Sequence, residues 1–470
     1  MVITCVRFLR KKGGSVSSFE NVLASLDTNR QRNLDALFAL IQQPSISAQD
    51  VGIAECAALE QTLLENAGLT TRLLPTKRHP MVYGERCTQP GKPTLLIYGH
   101  YDVQPPEPLD LWETPPFEPV IRDGLILARG SGDNKGQHVA NICGIRAWVE
   151  TTGELPVNVK VLLEGEEEIG SPHIADVVRE HRDLLAADLV VTSDGPVQND
   201  AHPQINYGVR GVLGAEIHVR GASQDLHSGN WGGVAPNAAW LLVHLLSTLM
   251  NDQNEVLVDG FYDAVAEPSP LVRRAIDTMP LDIAQSLASI GVEALPPPGH
   301  VGFYDRLAAR PTMTINGLTS GYRGPGSKTV IPSTASAKLD MRLVPNQTCD
   351  DIFAKLESHV RRVAPAAEVV RKGSMEPSST PLDHPLAEPV RKAVEIGFGR
   401  EPIDVPLLGG SLPDYVWTQI LGAPSFVVPY AQSDERNHAP NERFAVERFH
   451  AGSRTMTALI GLLAQKEMAS

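Results

Sequence analysis

The 470-residue chain is 42% apolar with a formal net charge of −14. That is long enough for a large core in two or more domains, and too acidic for non-specific binding to nucleic acid or anionic membrane. No apolar run approaches the roughly 18 residues needed to span a bilayer. The five cysteines (Cys5, Cys56, Cys87, Cys143, Cys349) are dispersed and never form a Cys-x-x-Cys pair, which suits a reduced cytoplasm and leaves any metal to histidine and carboxylate.

The N-terminus, "MVITCVRFLRKKGG", puts its positive charge after the short apolar piece. A secretory signal has the reverse order. Residues 1–20 are therefore expected to be a flexible extension, or the product of an upstream start codon. Apolar residues at helical spacing run from Asp27 to Gln43 and stop at Pro44, and a second helix is expected from about Ile53 to Asn66. Three strand-like runs follow: "TLLIYG", "VNVKVLLEG" and "ADLVVTSDG", the first two separated by a helix over about Gly136–Thr151. They are apolar nearly throughout, as strands of a mainly parallel sheet covered on both faces are. Each ends in histidine or acidic residues, and ligands of open α/β sheets bind outside the carboxyl ends of the strands.

From about Gly208 the pattern changes to "GVLGAEIHVRG", a helical "PNAAWLLVHLLSTLM", a loop-rich middle and "ASAKLDMRLVP", with few strand-end carboxylates. Acidic and histidine motifs resume in "LLGGSLPD" and "SDERNHAPNERF". The organisation expected is a catalytic domain over 21–207 and 383–470, with a domain inserted over 208–382.

Each chemical fragment has a plainer explanation when taken singly. His100 and Asp102 could finish a strand, Asp133 in "ARGSGDNKG" could cap a helix, and "LLEGEEEIGS", "VTSDG" and "NHAPNE" could be solvated loops. Together they change the odds: three carboxylate clusters and a histidine at strand ends or helix starts, and a second histidine far downstream, suit a pair of hard-to-borderline cations sharing a carboxylate. "GYRGPGSKT" is no P-loop, because Ser327 stands between the second glycine and the lysine. "GVRGVLG" lacks the dinucleotide spacing, and no Gly-x-Ser-x-Gly elbow occurs.

In order, "GHYDV", "RGSGDNKG", "EGEEEIGS", "SDG" and "NHAPNE" resemble the motif set of the di-zinc aminoacylase/carboxypeptidase metallopeptidase family, and within it the branch of cytosolic non-specific dipeptidase, carnosine dipeptidase and peptidase V. The resemblance covers nearly the whole chain after the first twenty residues. It implies a zinc-exopeptidase-like α/β catalytic domain with an inserted α+β lid or dimerisation domain. It also implies two divalent cations per subunit, Zn²⁺ with Mn²⁺ or Co²⁺ as alternatives. One would be held by His100, Asp133 and Asp194, the other by Asp133, Glu168 and His438, with Asp133 bridging. Asp102 would accept a hydrogen bond from the second ring nitrogen of His100 and fix its tautomer; residues two apart on a strand share a face, which fits. Glu167 would be the general base, with Glu166 left as a solvated loop charge. "LHSGNWGG" implies that His227 reaches the other subunit of a homodimer and stabilises the oxyanion. Thr329, Arg342, Gly410 and Ser411 would hold substrate, Arg342 gripping a free carboxylate through its planar fork.

The function expected is hydrolysis of an amide bond in dipeptides or short peptides with a free C-terminal carboxylate, by a hydroxide bridging two metals. The alternative is an N-acyl-amino-acid deacylase of the acetylornithine deacetylase or aminoacylase type. A non-catalytic binding paralogue should have lost a ligand or the base, and here His100, Asp133, Glu167, Glu168, Asp194 and His438 are all present.

Overall fold

The computed structural model describes residues 16–280, 283–298 and 301–466. The expected extension lies outside these over residues 1–15, but from Val16 the chain is already helical. In chain order come helices α1 (Val16–Thr28), α2 (Arg30–Ile41) and α3 (Ile53–Asn66). Strands β1 (Thr70–Leu74), β2 (Met81–Arg86) and β3 (Thr94–His100) follow, then α4 (Lys135–Thr152), β4 (Asn158–Glu164), β5 (Leu189–Thr192) and β6 (Gln204–Asn206). Next are β7 (Gly211–Arg220), α5 (Ala238–Leu246), β8 (Thr312–Ser320), β9 (Thr334–Leu343), α6 (Cys349–Val363) and β10 (Glu368–Met375). The chain finishes with α7 (Ala387–Phe398), β11 (Ile403–Val405), β12 (Ser425–Val427) and α8 (Val446–Leu463). The single helix expected over Asp27–Gln43 is two, divided at Asn29, whose backbone leaves the helical region (φ −98°, ψ 17°).

These elements fall into two compact units. The first comprises residues 1–207, 380–405 and 416–470; the second comprises 208–379 and 406–415. The stretch from Pro406 to Tyr415 thus departs from the expected division, which left all of 383–470 in the catalytic domain. Its own bonds explain why: Leu408 donates its N–H to Gly208 O and accepts from Arg210 N, and Ser378 Oγ donates to Asp414.

The first unit is built on an eight-stranded sheet in the order β1-β2-β4-β3-β5-β12-β6-β11. Strands β4, β3, β5 and β12 run parallel to one another. In β3 every residue from Leu95 to His100 is buried, so the strand needs apolar side chains on both faces. Each Leu, Ile or Val so buried contributes about 1.5–3 kcal/mol. α4 packs on β3 and against α1 and α8, and is buried continuously from Lys135 to Trp148, which is why "VANICGIRAW" shows no polar stripe. It ends at Gly153 (φ 83°), the left-handed residue common after a helix. Its first residue, Lys135, is fully buried and donates from Nζ to Leu40 O and Gln43 O at 2.9 and 2.7 Å. These are carbonyls at the end of α2, which helices leave without partners.

The second unit has an antiparallel sheet, β8-β9-β7-β10. β7 alternates buried and half-buried residues, the signature of a sheet with one covered face. Leu213, Ile217, Leu339 and Met341 meet Leu242 and Leu245 of α5 and Ile352, Leu356 and Val360 of α6 in its core. Thr348 caps α6 by accepting from Asp351 N, and acids in the first turn with Arg361 and Arg362 in the last suit the helix dipole. No helix among the described residues is long and apolar enough to cross a membrane.

Candidate metal centre

The strand ends of the first unit bring the expected ligands together. Ligand atoms of His100, Asp133 and Asp194 all lie within 4.8 Å of one another, and so do those of Asp133, Glu168 and His438. His100 closes β3 and is fully buried. Its Nε2 lies 3.1 Å from Asp133 Oδ1 and 3.8 Å from Asp194 Oδ2, yet has no hydrogen-bond partner. On the far side, Asp133 Oδ2 and Glu168 Oε2 lie 3.1 and 3.2 Å from His438 Nε2. His438 reaches them from an exposed loop with positive φ (58°).

Backbone and amide donors aim these carboxylates. Asp194 Oδ1 accepts from Gly195 N and Asn134 Nδ2. Glu168 accepts from Gln104 through both the N–H and Nε2. Asp102 has two roles where the sequence suggested one. His100 Nδ1 faces its carbonyl oxygen at 3.1 Å and its carboxylate at 3.4 Å, so the carbonyl is the nearer acceptor. The Asp102 carboxylate meanwhile accepts the backbone N–H groups of Glu167 and Glu168 at 3.2 and 3.0 Å.

Glu166 is not a solvated loop charge. It is fully buried and accepts from His79 N and Thr76 Oγ1, with His173 Nδ1 at 2.6 Å. Its carboxylate ties the turn after β4 to the β1–β2 connection and to His173.

Electrostatically the centre is a crowd of like charges. Burial pushes Glu168 up to about 7 and Asp194 up to about 6, with the charge of Asp133 adding to both. Glu167 is raised well above the usual carboxylate range, mainly by burial. Burial alone would raise Asp133 too, but the imidazoles of His100 and His438 beside it hold it low. The carboxylates of Asp133 and Glu168 beside it raise His438 to about 11. A buried imidazole nitrogen without a partner, facing carboxylates that repel one another, is what a cation would resolve. The donor set is imidazole and carboxylate with no thiolate, which fits Zn²⁺ or Mn²⁺.

Two further acids were not singled out from the sequence. Glu442, fully buried, accepts from Gly132 N, Asp133 N, Gly130 N and Arg129 Nη1 at 2.7–3.1 Å, and so clamps the turn that carries Asp133. It lies inside "NHAPNE", but nothing in one sequence pairs it with Arg129, 313 residues away. Glu435 is also fully buried, and neither carboxylate oxygen has a hydrogen-bond partner. A Cβ on Gly132 would meet its Oε1 at 1.9 Å, so a larger residue in that turn would have to displace the Glu435 side chain.

The residues expected to hold substrate are all in the second unit. His227 is exposed; its Nδ1 accepts from Gly229 N, and its Nε2 stands 3.5 Å from Thr329 Oγ1. Arg342 donates to Asp340 through Nε and to Ser411 Oγ through Nη1 at 2.7 Å, beside Gly410. The segment that imitates a P-loop is an exposed loop leading to a two-residue strand, with no helix after it.

Comparison with known proteins gives this arrangement a context. The profile described as "Peptidase family M20/M25/M40" matches residues 96–461. A Cys-Gly metallodipeptidase of Schizosaccharomyces pombe is 32% identical over 82% of this chain and 83% of its own, and a Beta-Ala-His dipeptidase of Homo sapiens is 30% identical over 82% and 78%. The crystal structure of an M20 family metallo-carboxypeptidase from Sulfolobus solfataricus superposes with a TM-score of 0.87 at 33% identity, covering 92% of this chain and 99% of that one. With most of its length matched by one profile and near-full-length relatives above 30% identity, the protein belongs to Peptidase family M20/M25/M40.

Proposed function

We propose that the protein is a metal-dependent exopeptidase that hydrolyses the amide bond of dipeptides, or of short peptides, with a free C-terminal carboxylate. The observation that carries this reading is the pair of ligand groups sharing Asp133. Relatives named as a Cys-Gly metallodipeptidase and a Beta-Ala-His dipeptidase, and a fold neighbour named as a metallo-carboxypeptidase, support it. All three kinds of name describe amide hydrolysis.

Two divalent cations, Zn²⁺ with Mn²⁺ or Co²⁺ as alternatives, would be held by His100, Asp133 and Asp194, and by Asp133, Glu168 and His438. When bound they supply Lewis-acid activation of water and of the scissile carbonyl. The chain's own residues do the rest. Glu167 takes the proton of the attacking water and passes it to the leaving amine; a buried carboxyl raised above its usual range is suited to holding that proton. Asp102 fixes the backbone from which Glu167 and Glu168 diverge. Arg342, Ser411 and Gly410 take the substrate carboxylate, Thr329 lines the substrate, and His227 stabilises the oxyanion from the other subunit of a homodimer. An exposed apolar stretch of the second unit (Trp231, Val234, Trp240, Leu241, Val243) supports the dimer, as do Ile315 and Leu318, exposed on edge strand β8. Buried free thiols at Cys56, Cys143 and Cys349 support a reduced, cytoplasmic setting.

The test is a hydrolysis screen of the metal-loaded protein against dipeptides, tripeptides, N-blocked dipeptides and N-acetyl amino acids. Free dipeptides should be the best substrates. A preference for N-acetyl amino acids would replace this reading with a deacylase, and equal cleavage of N-blocked peptides would make it a carboxypeptidase.

A further inference from the structure

We infer that Arg210 is a second carboxylate-recognition residue, forming with Arg342 a two-guanidinium anion site on the Gly409–Ser411 turn of the second unit. This deepens the exopeptidase reading above and rests on it for the identity of the anion.

Arg210 is 7% exposed, and among the described residues it forms no ion pair. Its hydrogen bonds go to neutral carbonyls, from Nε to Gly409 O at 2.8 Å and from Nη1 to Arg306 O at 3.4 Å. Its Nη2 sits 3.6 Å from where a Cβ on Gly409 would be, so the fork faces the turn. Arg342 reaches the same turn through Ser411 Oγ, and Asp340 is paired with Arg342. Two guanidinium groups therefore reach one three-residue turn while the one carboxylate, Asp340, is paired with Arg342, which leaves one positive charge in excess. Arginine does not shed its proton to relieve this, and a buried charge without a counter-charge is costly. The proximity is felt: burial and then the charge of Arg342 lower Arg210 to about 10.

An anion that binds there completes the charge balance, and a planar carboxylate suits the guanidinium fork. The substrate chemistry that provides one is the C-terminal carboxylate of a peptide. Arg210 thus has two effects: it holds the turn through Gly409 O, and it supplies the uncompensated positive charge that tells a free acid from an amide.

The experiment compares L-Ala-L-Ala with L-Ala-L-Ala amide on wild type, Arg210→Gln and Arg210→Lys. Glutamine keeps an N–H donor for Gly409 O and removes the charge. Arg210→Gln should raise KM for Ala-Ala at least tenfold, change kcat less than threefold and lower the acid-over-amide ratio of kcat/KM at least tenfold; Arg210→Lys should keep the acid-over-amide preference within threefold of wild type. Equal losses on acid and amide, or an unchanged KM, would overturn the proposal. Should Arg210→Gln not melt cooperatively, Arg210→Lys decides: a tenfold loss of preference there overturns a charge-based role, and retention supports it. If wild type cleaves neither peptide, the exopeptidase reading falls separately. The anion site is then judged by N-acetyl-L-alanine, whose rise in melting temperature must be present in wild type and absent in Arg210→Gln.

Discussion

Glu167 and Glu168 are adjacent in sequence, share one backbone anchor in Asp102, and have different surroundings. Glu168 is held by Gln104 and His438, whereas the Glu167 carboxyl is driven above its usual range by burial and by Asp194, Glu168 and Asp133. Glu167→Gln should therefore lower kcat by about 10²–10⁴-fold, the range for loss of a general acid–base group, while elemental analysis still finds the wild-type metal content. Asp133→Asn, which weakens both ligand groups, should lose metal as well as activity. An active Glu167→Gln enzyme would sink the assignment of the base. The buried acids behind the centre separate in the same way. Glu442→Gln leaves Arg129 buried without its counter-charge and should cost about 3–5 kcal/mol in denaturant unfolding. Glu435 has no partner to lose, and burial with the charges of Asp133 and Glu442 keeps it raised well above the usual range and so neutral. Glu435→Gln should then shift stability by less than about 1 kcal/mol; a cost equal to that of Glu442→Gln would mean it carries a charge after all.

At the scale of elements, α7 and α8 are held closer than side chains normally allow. A Cβ at Gly397 would lie 1.9 Å from Thr455 Oγ1 and 2.6 Å from Ala451 O, so Gly397→Val must part the helices, and it should cost at least the roughly 1–3 kcal/mol of core overpacking. His450 on α8 makes a pH prediction. Burial, then the charge of Arg30, pushes it down to about 4, against about 6.5 in an unfolded chain. Between those values the unfolded state binds more protons, so the contribution is present above pH 6.5 and is lost as pH falls toward 4. His450→Phe should lose less stability than wild type between pH 7 and pH 5 in matched, chelator-treated samples; identical slopes would refute it. Elements such as these also mark what one sequence can disclose. The β3 run "TLLIYGH" announces a doubly covered strand and delivers His100 because burial on both faces and a histidine at a strand end both leave a local pattern. The clamp of Glu442 on Arg129 and the turn of Pro406–Tyr415 belonging to the second unit leave none, since each depends on partners hundreds of residues apart. Glu166 misled for a related reason: three acids in a row look solvated unless the chain that buries them, here His79 and His173, is known.

For the molecule as a whole, six acids, Asp133, Glu167, Glu168, Asp194, Glu435 and Glu442, gather behind the sheet edge of the first unit. This makes stability depend on metal and pH together. Without a cation, burial raises Glu168 to about 7 and Asp194 to about 6, so the folded state binds more protons than the unfolded state from about pH 4 up to those values. That contribution is complete below the unfolded values and is lost as pH rises through 6 to 7. A cation reverses the sign, because it binds the deprotonated carboxylates and must displace those protons. Cation at a thousandfold excess over its dissociation constant adds about 4 kcal/mol, and the dissociation constant itself tightens as the protons leave. The melting temperature of the metal-loaded protein should therefore exceed that of the chelator-treated protein at every pH, with a gap that widens from pH 5.5 to pH 7.5. Differential scanning calorimetry at the two pH values reads it directly. A gap that stays constant or narrows would mean that Glu168 and Asp194 do not ligate the cation, and the shared-carboxylate centre would have to be redrawn around other residues.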